Sequence, residues 1–137
     1  MKIEMLKSKI HRATVTGADI NYTGSVAIDP ALCAEVGLRE WEKVDVLDID
    51  NGARLTTYVI LGEPGEVCLN GAAARLVQKG DRVIIVSYAQ FDEQEANTHR
   101  PQVVIVDEPM VGLDPAGIRM VKHLFRSLAE GGVTFFV

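Results

Sequence analysis

Apolar and polar residues alternate along much of the first hundred positions, and this period of two predicts strands with one buried face. Residues 3–16 predict one long strand that places Lys7, Lys9 and His11 on one of its faces. The residues between them share the opposite face: Ser8, Ile10 and Arg12. On the residues alone, two cations and an imidazole on one face indicate a solvated strand surface.

Turn signals divide the following chain into short strands. Gly17–Asp19 predicts a turn, and Asn51-Gly52 predicts a two-residue hairpin turn with positive φ at both positions. Strands are predicted through residue 28 and at 43–50, 53–61, 82–91 and 102–106. Many short strands joined by Gly, Pro and Asn-Gly turns favour a closed β-barrel over a sandwich.

Helical signals are few. Asp29 is a good N-cap, Pro30 fits the first helical position and Gly37 is a natural C-cap, so a short helix is predicted between them. Residues 92–99 predict a loop or a short helix. Apolar side chains recur at helical spacing over residues 116–130, which predicts a C-terminal amphipathic helix followed by an apolar, strand-like end. The expected class is therefore mainly β with short helices.

Composition excludes several function classes. The chain has 137 residues with 47% hydrophobic and 24% charged content, which is typical of one globular domain. It lacks the run of about 20 apolar residues that a membrane span needs, and its start lacks a hydrophobic signal core. We therefore expect a cytoplasmic protein without a membrane partner. A net charge of −5 argues against nucleic acid as a partner.

The metal-ligating residue types are scattered. Cys33 and Cys68 stand alone in apolar surroundings, which is typical of buried small hydrophobic residues. The three histidines show no metal-ligand spacing either, so no metal site is expected.

The candidate chemistry lies at Gly24-Ser25, within a stretch that also carries hydroxyls at Tyr22 and Thr23. Glycine permits backbone conformations closed to other residues, and a serine directly after it can bring its hydroxyl close to the glycine carbonyl. The simpler interpretation is a tight turn with a solvated serine. Other segments of the sequence must agree before a reaction at Gly24-Ser25 is favoured over such a turn.

Five segments supply that agreement, because they resemble the pyruvoyl-dependent aspartate 1-decarboxylases in the family's order and spacing up to about Glu108. The segments are residues 5–16, 22–29, 51–54 with 57–58, 70–74, and 80–81 with 83–85. The resemblance implies a double-psi β-barrel over residues 1–108. It leaves residues 109–137 as an atypical helical tail that is not an independent domain.

The resemblance also implies a maturation step. Ser25 Oγ attacks the Gly24 carbonyl, and elimination and hydrolysis then leave a pyruvoyl group in place of Ser25. Tyr22, Thr57 and Asn70 are implied to assist this self-processing. The pyruvoyl carbonyl is the cofactor, and it forms a Schiff base with the substrate amine. Some family members need an accessory maturation protein, and that question stays open here.

The implied activity is a carboxy-lyase reaction that turns L-aspartate into β-alanine for pantothenate and coenzyme A biosynthesis. Arg54 and Lys9 are implied to hold the side-chain carboxylate of the substrate, with His11 pointing toward the same pocket. Tyr58 is the implied proton donor. Further pocket residues are implied at these positions: Thr57, Gly71, Ala72 and Ala73.

The position of these residues on one strand raises a geometric question. Strict alternation puts Arg54 and Tyr58 on one face of the strand and Thr57 on the other, so a shared pocket requires a bend or a seam. Family members are homotetramers with pockets between neighbouring subunits, and the resemblance implies the same assembly here.

The tail has a different resemblance. Residues 103–115 are similar to the Walker B and D-loop region of ABC-type ATPases, with Asp107 and Glu108 in the acidic positions. The chain contains no G-x-x-x-x-G-K-[ST] sequence, so a complete nucleotide site is absent and ATPase activity is not expected. An alternative function is a barrel that never matures and acts as an interaction or regulatory module through this tail.

Overall fold

The computed structural model describes residues 1–106 and, as backbone, residues 133–136. The described residues form nine strands, two short α-helices and one 3₁₀ turn over Gly71–Arg75. The strands are β1 (Lys2–Thr14), β2 (Gly17–Asp19), β3 (Ser25–Ile28), β4 (Lys43–Asp48), β5 (Arg54–Leu61), β6 (Val67–Asn70), β7 (Arg82–Asp92), β8 (Gln102–Val106) and β9 (Val133–Phe136). The helices are α1 (Pro30–Val36) and α2 (Glu93–Thr98).

These strands join one sheet in the order β2-β6-β3-β5-β4-β7-β1-β8-β9. The edge strand β2 is the direct continuation of β1, which lies near the other edge. Between them, the Thr16 N–H donates to the Val67 carbonyl at 2.7 Å, and the Val67 N–H donates back to Thr16 Oγ1 at 2.9 Å. One continuous segment therefore ties both ends of the sheet together and curls it into a barrel.

The core fills this barrel from several strands at once. Among the described residues, the largest fully buried side chains are all aliphatic, and those from the strands are Ile10, Val26, Ile28, Val44, Val46, Val59, Leu69, Val83, Ile85 and Val104. Inward-facing residues from successive strands are what a closed sheet requires. The expected mainly β barrel with short helices is confirmed.

Strand β1 departs from simple alternation. Its register against β7 shifts between His11 and Ala13, and Arg12 has a φ of 68°, which marks the extra residue of a β-bulge. Ser8 and Ile10 are both buried, but the next buried residue is Ala13 and not Arg12. The prediction that Arg12 shares their face is wrong, because one inserted residue reverses the alternation.

Two predicted turns also differ. Gly17–Asp19 is not a turn but strand β2, which pairs in parallel with β6 because β1 continues into the sheet. At Asn51-Gly52 only Gly52 has positive φ, so a two-residue primed turn is wrong. The loop is longer because the Asp48 carboxylate accepts from the backbone N–H groups of Asp50 and Asn51.

The helix-end predictions are confirmed. The Asp29 side chain accepts from the Ala31 N–H at 2.8 Å at the start of α1, and Gly37 ends the helix with a φ of 70°. Residues 92–99 contain α2, whose start carries a reciprocal capping box between Asp92 and Glu95. No helix among residues 1–106 has the length and apolar character that crossing a bilayer would require.

The tail is described only at its end. The Walker B-like residues Asp107 and Glu108 and the helix predicted over residues 116–130 lie outside the described residues. Val133–Phe136 forms β9, which pairs in parallel with Val103–Val106 of β8. The strand-like end predicted for this segment is confirmed for those four residues.

A chain that ends at Glu108 should still fold, because β8 keeps its parallel pairing with β1 from Ser8↔Gln102 to His11↔Ile105. The edge of β8 then loses the backbone partners that β9 supplies. We expect a fall in Tm of roughly 5 °C, which corresponds to about 1 kcal/mol for a domain of this size, and a greater tendency to associate. Thermal unfolding and size-exclusion chromatography against the full chain measure both. A truncated chain without a cooperative transition would contradict this expectation.

Candidate active site

Ser25 is the first residue of β3, and its environment is closed. The residue is 1% exposed, whereas Gly24 before it is exposed and lies outside the strand. Because β3 and β6 are antiparallel, Ser25 lies opposite Asn70, and Asn70 Nδ2 donates a hydrogen bond of 2.9 Å to Ser25 Oγ. The hydroxyl oxygen is therefore held in one place beside a peptide bond that is open to its surroundings.

The side chain of Asn70 is itself oriented by a second hydrogen bond. It is buried, and its Oδ1 accepts from Cys68 Sγ at 3.4 Å. Burial raises the pKa of the Cys68 thiol, with smaller contributions from Glu66 and Asp19, so the thiol stays protonated and able to donate. Asn70 makes no capping bond to the turn that follows it. Its amide is thus committed to Ser25.

Gly71 is the point of closest approach to the Gly24 segment. It has a φ of 67°, and a Cβ at this position would lie 2.7 Å from Gly24 Cα and 3.0 Å from the Tyr22 carbonyl oxygen. A side chain cannot fit there without displacing the backbone. Tyr22 contacts this point through its backbone, while its side chain is 52% exposed.

A pocket of about 370 Å³ opens beside Gly24. It is lined by small and hydroxyl-bearing residues together with two leucines: Gly24, Leu55, Thr56, Thr57, Tyr58, Asn70, Ala72, Ala73 and Leu76. Six of the twelve predicted site residues line this Gly24 pocket. A second pocket of about 280 Å³, between β4, β5 and β7, contains none of them.

The strand pairing explains why Thr57 and Tyr58 reach the same pocket. β5 pairs with β4 from Arg54 to Tyr58, but it pairs with β3 only from Val59 to Leu61. Within the described residues, the first half of β5 therefore has a strand neighbour on one side alone. Four successive residues, Leu55 to Tyr58, line the pocket where β5 lacks this second neighbour.

Three predicted residues lie elsewhere in the chain. Arg54 begins β5, is exposed and does not line the Gly24 pocket. Lys9 and His11 lie on β1, opposite Val86 and Ile84 of β7. Burial lowers the pKa of His11, and the positive charges of Lys9 and Arg12 lower it further, so the imidazole is neutral at pH 7.

Sequence reasoning missed one large residue beside the site. Trp41 is 70% exposed, has a φ of 74°, and its ring lies 5.8 Å from that of Tyr58 at 30°. The backbone N–H of Trp41 donates a hydrogen bond of 2.7 Å to the Val59 carbonyl, which ties the loop before β4 to β5. Trp41 lies alone in a turn, so hydrophobic periodicity does not indicate it. The sequence signal that could have found it is that it is the chain's single tryptophan.

Known proteins resemble the chain over this same barrel. The family model described as aspartate decarboxylase matches residues 1–110. An aspartate 1-decarboxylase from Clostridium kluyveri is 58% identical over 110 residues, which cover 79% of this chain and 87% of the relative. One from Campylobacter hominis is 55% identical over 114 residues, which cover 83% of this chain and the whole relative.

A third relative, from Clostridium botulinum, is 59% identical over 109 residues, covering 78% of this chain and 86% of the relative, and it is also an aspartate 1-decarboxylase. These matches span the barrel and every residue of the Gly24 pocket. On this basis the chain belongs to the aspartate decarboxylase family.

Proposed function

We propose that the chain is a self-processing pyruvoyl enzyme that decarboxylates L-aspartate to β-alanine, the precursor used in pantothenate biosynthesis, and that it works in the cytoplasm. One observation carries the proposal. The buried Ser25 hydroxyl accepts a hydrogen bond from Asn70, and Ser25 directly follows Gly24, an exposed residue that lines the pocket. The names of the relatives support the substrate.

Maturation begins with Ser25 Oγ attacking the Gly24 carbonyl carbon. The carbon–nitrogen bond breaks, an ester forms, and the hydroxyl proton ends on the released amine. Elimination then removes the Cα proton of residue 25 and breaks the Cβ–Oγ bond, which leaves a carboxylate on Gly24 and a dehydroalanine in place of Ser25. The dehydroalanine takes up a proton at Cβ and becomes an imine, and water hydrolyses this imine to the keto group and ammonia. No external oxidant or reductant is needed for this balance.

Asn70 and Thr57 are the chain's own groups for this step. Asn70 Nδ2 already binds Ser25 Oγ at 2.9 Å and keeps the nucleophile at the Gly24 end of β3. Thr57 lines the same pocket as Gly24, and we assign its hydroxyl to the oxygen of the Gly24 carbonyl. The tight contact of Gly71 with Gly24 holds the peptide against this pair.

The residues present fit a pyruvoyl group at position 25. A pyruvoyl group is smaller than a serine that is still joined to Gly24 by a peptide bond. Gly24 is exposed, so the new chain end that it forms can move away once this bond is cut. Its carbonyl would supply an electron sink for the electron pair released as carbon dioxide departs. The pocket of about 370 Å³ leaves room beside it for a four-carbon amino acid.

Substrate specificity requires a cation for the side-chain carboxylate, and the described lining of the Gly24 pocket contains none. Arg54 and Lys9 are assigned this role, supplied by a neighbouring subunit of a homotetramer. Neutral His11 would join them as a hydrogen-bond partner without adding charge. The gap in the single chain supports the assembly that the resemblance implies.

Tyr58 is the assigned proton donor. It lines the Gly24 pocket, and its phenolic O–H is a donor that can protonate the carbon that loses carbon dioxide. Trp41 packs against its ring and limits the positions the hydroxyl can take. Whether an accessory protein speeds maturation is a separate matter, which incubation of the purified chain alone decides.

Replacing Ser25 with Ala should abolish cleavage, because the nucleophilic oxygen is gone while the buried site stays filled. Gel electrophoresis after warm incubation measures the result. Thr23→Ala removes the hydroxyl two residues away and should cleave as the wild type does. A Ser25→Ala chain that still splits after Gly24 would disprove the self-processing step.

Arg54→Ala should mature normally and then lose at least roughly tenfold in kcat/KM for L-aspartate, because a charged hydrogen bond to a carboxylate is worth about 1.5–3 kcal/mol. Carbon dioxide release per mature site is the measurement. Arg39→Ala, which removes another exposed arginine, serves as the matched control and should keep full activity. Equal loss in both variants would remove Arg54 from the substrate site.

Tyr58→Phe should also mature, since the ring keeps its packing against Trp41. We expect kcat to fall by roughly 10²-fold or more, the usual contribution of a positioned acid, with KM little changed. Tyr88→Phe removes a hydroxyl from an exposed tyrosine of the second pocket and should leave kcat intact. An unchanged kcat in Tyr58→Phe would assign the proton to another group.

A further inference from the structure

Three carboxylates meet where the loop between β4 and β5 approaches the start of β7. They belong to Asp48, Asp50 and Asp81, and one oxygen from each lies within 4.8 Å of the others. This Asp48 cluster shares no residue with the Gly24 pocket. The spacing of cysteines and histidines does not indicate this cluster, because its ligands are all carboxylates.

Asp48 carries the feature that a cluster of surface acids lacks. It is 3% exposed, and its Oδ1 accepts from the N–H groups of Asp50 at 2.8 Å and Asn51 at 3.1 Å. Its Oδ2 is buried without a hydrogen-bond partner among the described residues. A buried carboxylate oxygen without a partner is costly, so a positive charge at this oxygen would be strongly favoured.

The other two carboxylates are fixed in place by donors. Asp50 accepts from the Arg82 N–H at 2.7 Å and from Arg82 Nη2 at 3.1 Å. Asp81 accepts from the Gln78 N–H at 3.0 Å through Oδ2. Each acid is therefore oriented by the backbone before any ligand arrives, and this lowers the entropic cost of assembling a binding site.

The charge balance also leaves room for a cation. Arg82 offsets part of the negative charge through its ion pair with Asp50, and Arg12 contributes from β1. Two of the three formal negative charges belong to Asp48 and Asp81, which face each other.

We propose that Asp48, Asp50 and Asp81 form a binding site for one Ca²⁺ ion per chain. Oxygens about 2.4 Å from a common centre lie at most about 4.8 Å apart, and the three carboxylate oxygens meet this condition for one ion of this size. An oxygen-only ligand set selects a hard cation. Ca²⁺ suits it better than Mg²⁺ because Ca²⁺ accepts flexible coordination, whereas Mg²⁺ demands a near-ideal octahedron.

The ion would fasten the β4–β5 loop to the turn before β7. Asn51 in this loop donates through Nδ2 to the Leu76 carbonyl at 2.8 Å, and Leu76 lines the Gly24 pocket. Because Arg82 competes for Asp50, we expect a modest Kd on the order of 10⁻⁴–10⁻³ M. The site stabilises the barrel and takes no part in the chemistry.

Calorimetric titration of the full-length chain, stripped with a chelator, with CaCl₂ tests the proposal. We expect one ion per chain, and a Tm raised by about 4 °C at roughly ten times Kd. Asp48→Asn should weaken binding about tenfold or more, since one charged ligand is lost. Its amide oxygen can still accept from the two loop N–H groups, so the variant should remain folded.

Asp81→Asn provides a second variant, and Glu35→Gln, which removes an exposed charge on α1, is the matched control. The control should bind Ca²⁺ as the wild type does, and MgCl₂ should bind more weakly than CaCl₂. The proposal is overturned by an absence of binding heat and Tm change at about ten times the expected Kd. It is equally overturned by wild-type affinity in both Asn variants, or by Mg²⁺ binding at least as tightly.

Discussion

The hydrogen bond between Asn70 and Ser25 is the contact on which the candidate site depends. It exists because β3 and β6 pair in antiparallel register, and that register is set by aliphatic residues such as Val26 and Leu69 that fill the barrel. The polar pair is thus positioned by apolar packing. Gly71 then brings the next backbone segment against Gly24, which no larger residue would allow.

Much of the fold follows from local sequence signals. The N-cap at Asp29, the C-cap at Gly37 and the period-two pattern of β4 and β5 are properties of a few neighbouring residues, and all were predicted. The bulge at Arg12 and the strand at Gly17–Asp19 were not, because each depends on a partner strand distant in the chain. Alternation predicts faces only until one residue is inserted.

The predicted site residues also fall into two groups, those that a single chain brings together and those that it does not. Ser25, Thr57, Tyr58 and Asn70 gather in one chain because neighbouring strands hold them. Lys9 and Arg54 do not gather with them, and an assembly of several chains is the natural way to bring a cation to a pocket that has none among its described lining residues. Trp41 had no pattern to reveal it, since its packing on Tyr58 arises from the path of a loop.

The central claim is that the chain makes its own carbonyl at position 25. The mass of the purified wild-type protein after warm incubation tests it most directly. The account predicts two pieces, residues 1–24 and 25–137, with the larger one lighter by one ammonia than a fragment that begins with serine. A larger piece with the mass of a free serine terminus, or cleavage at a bond other than the one after Gly24, would contradict it.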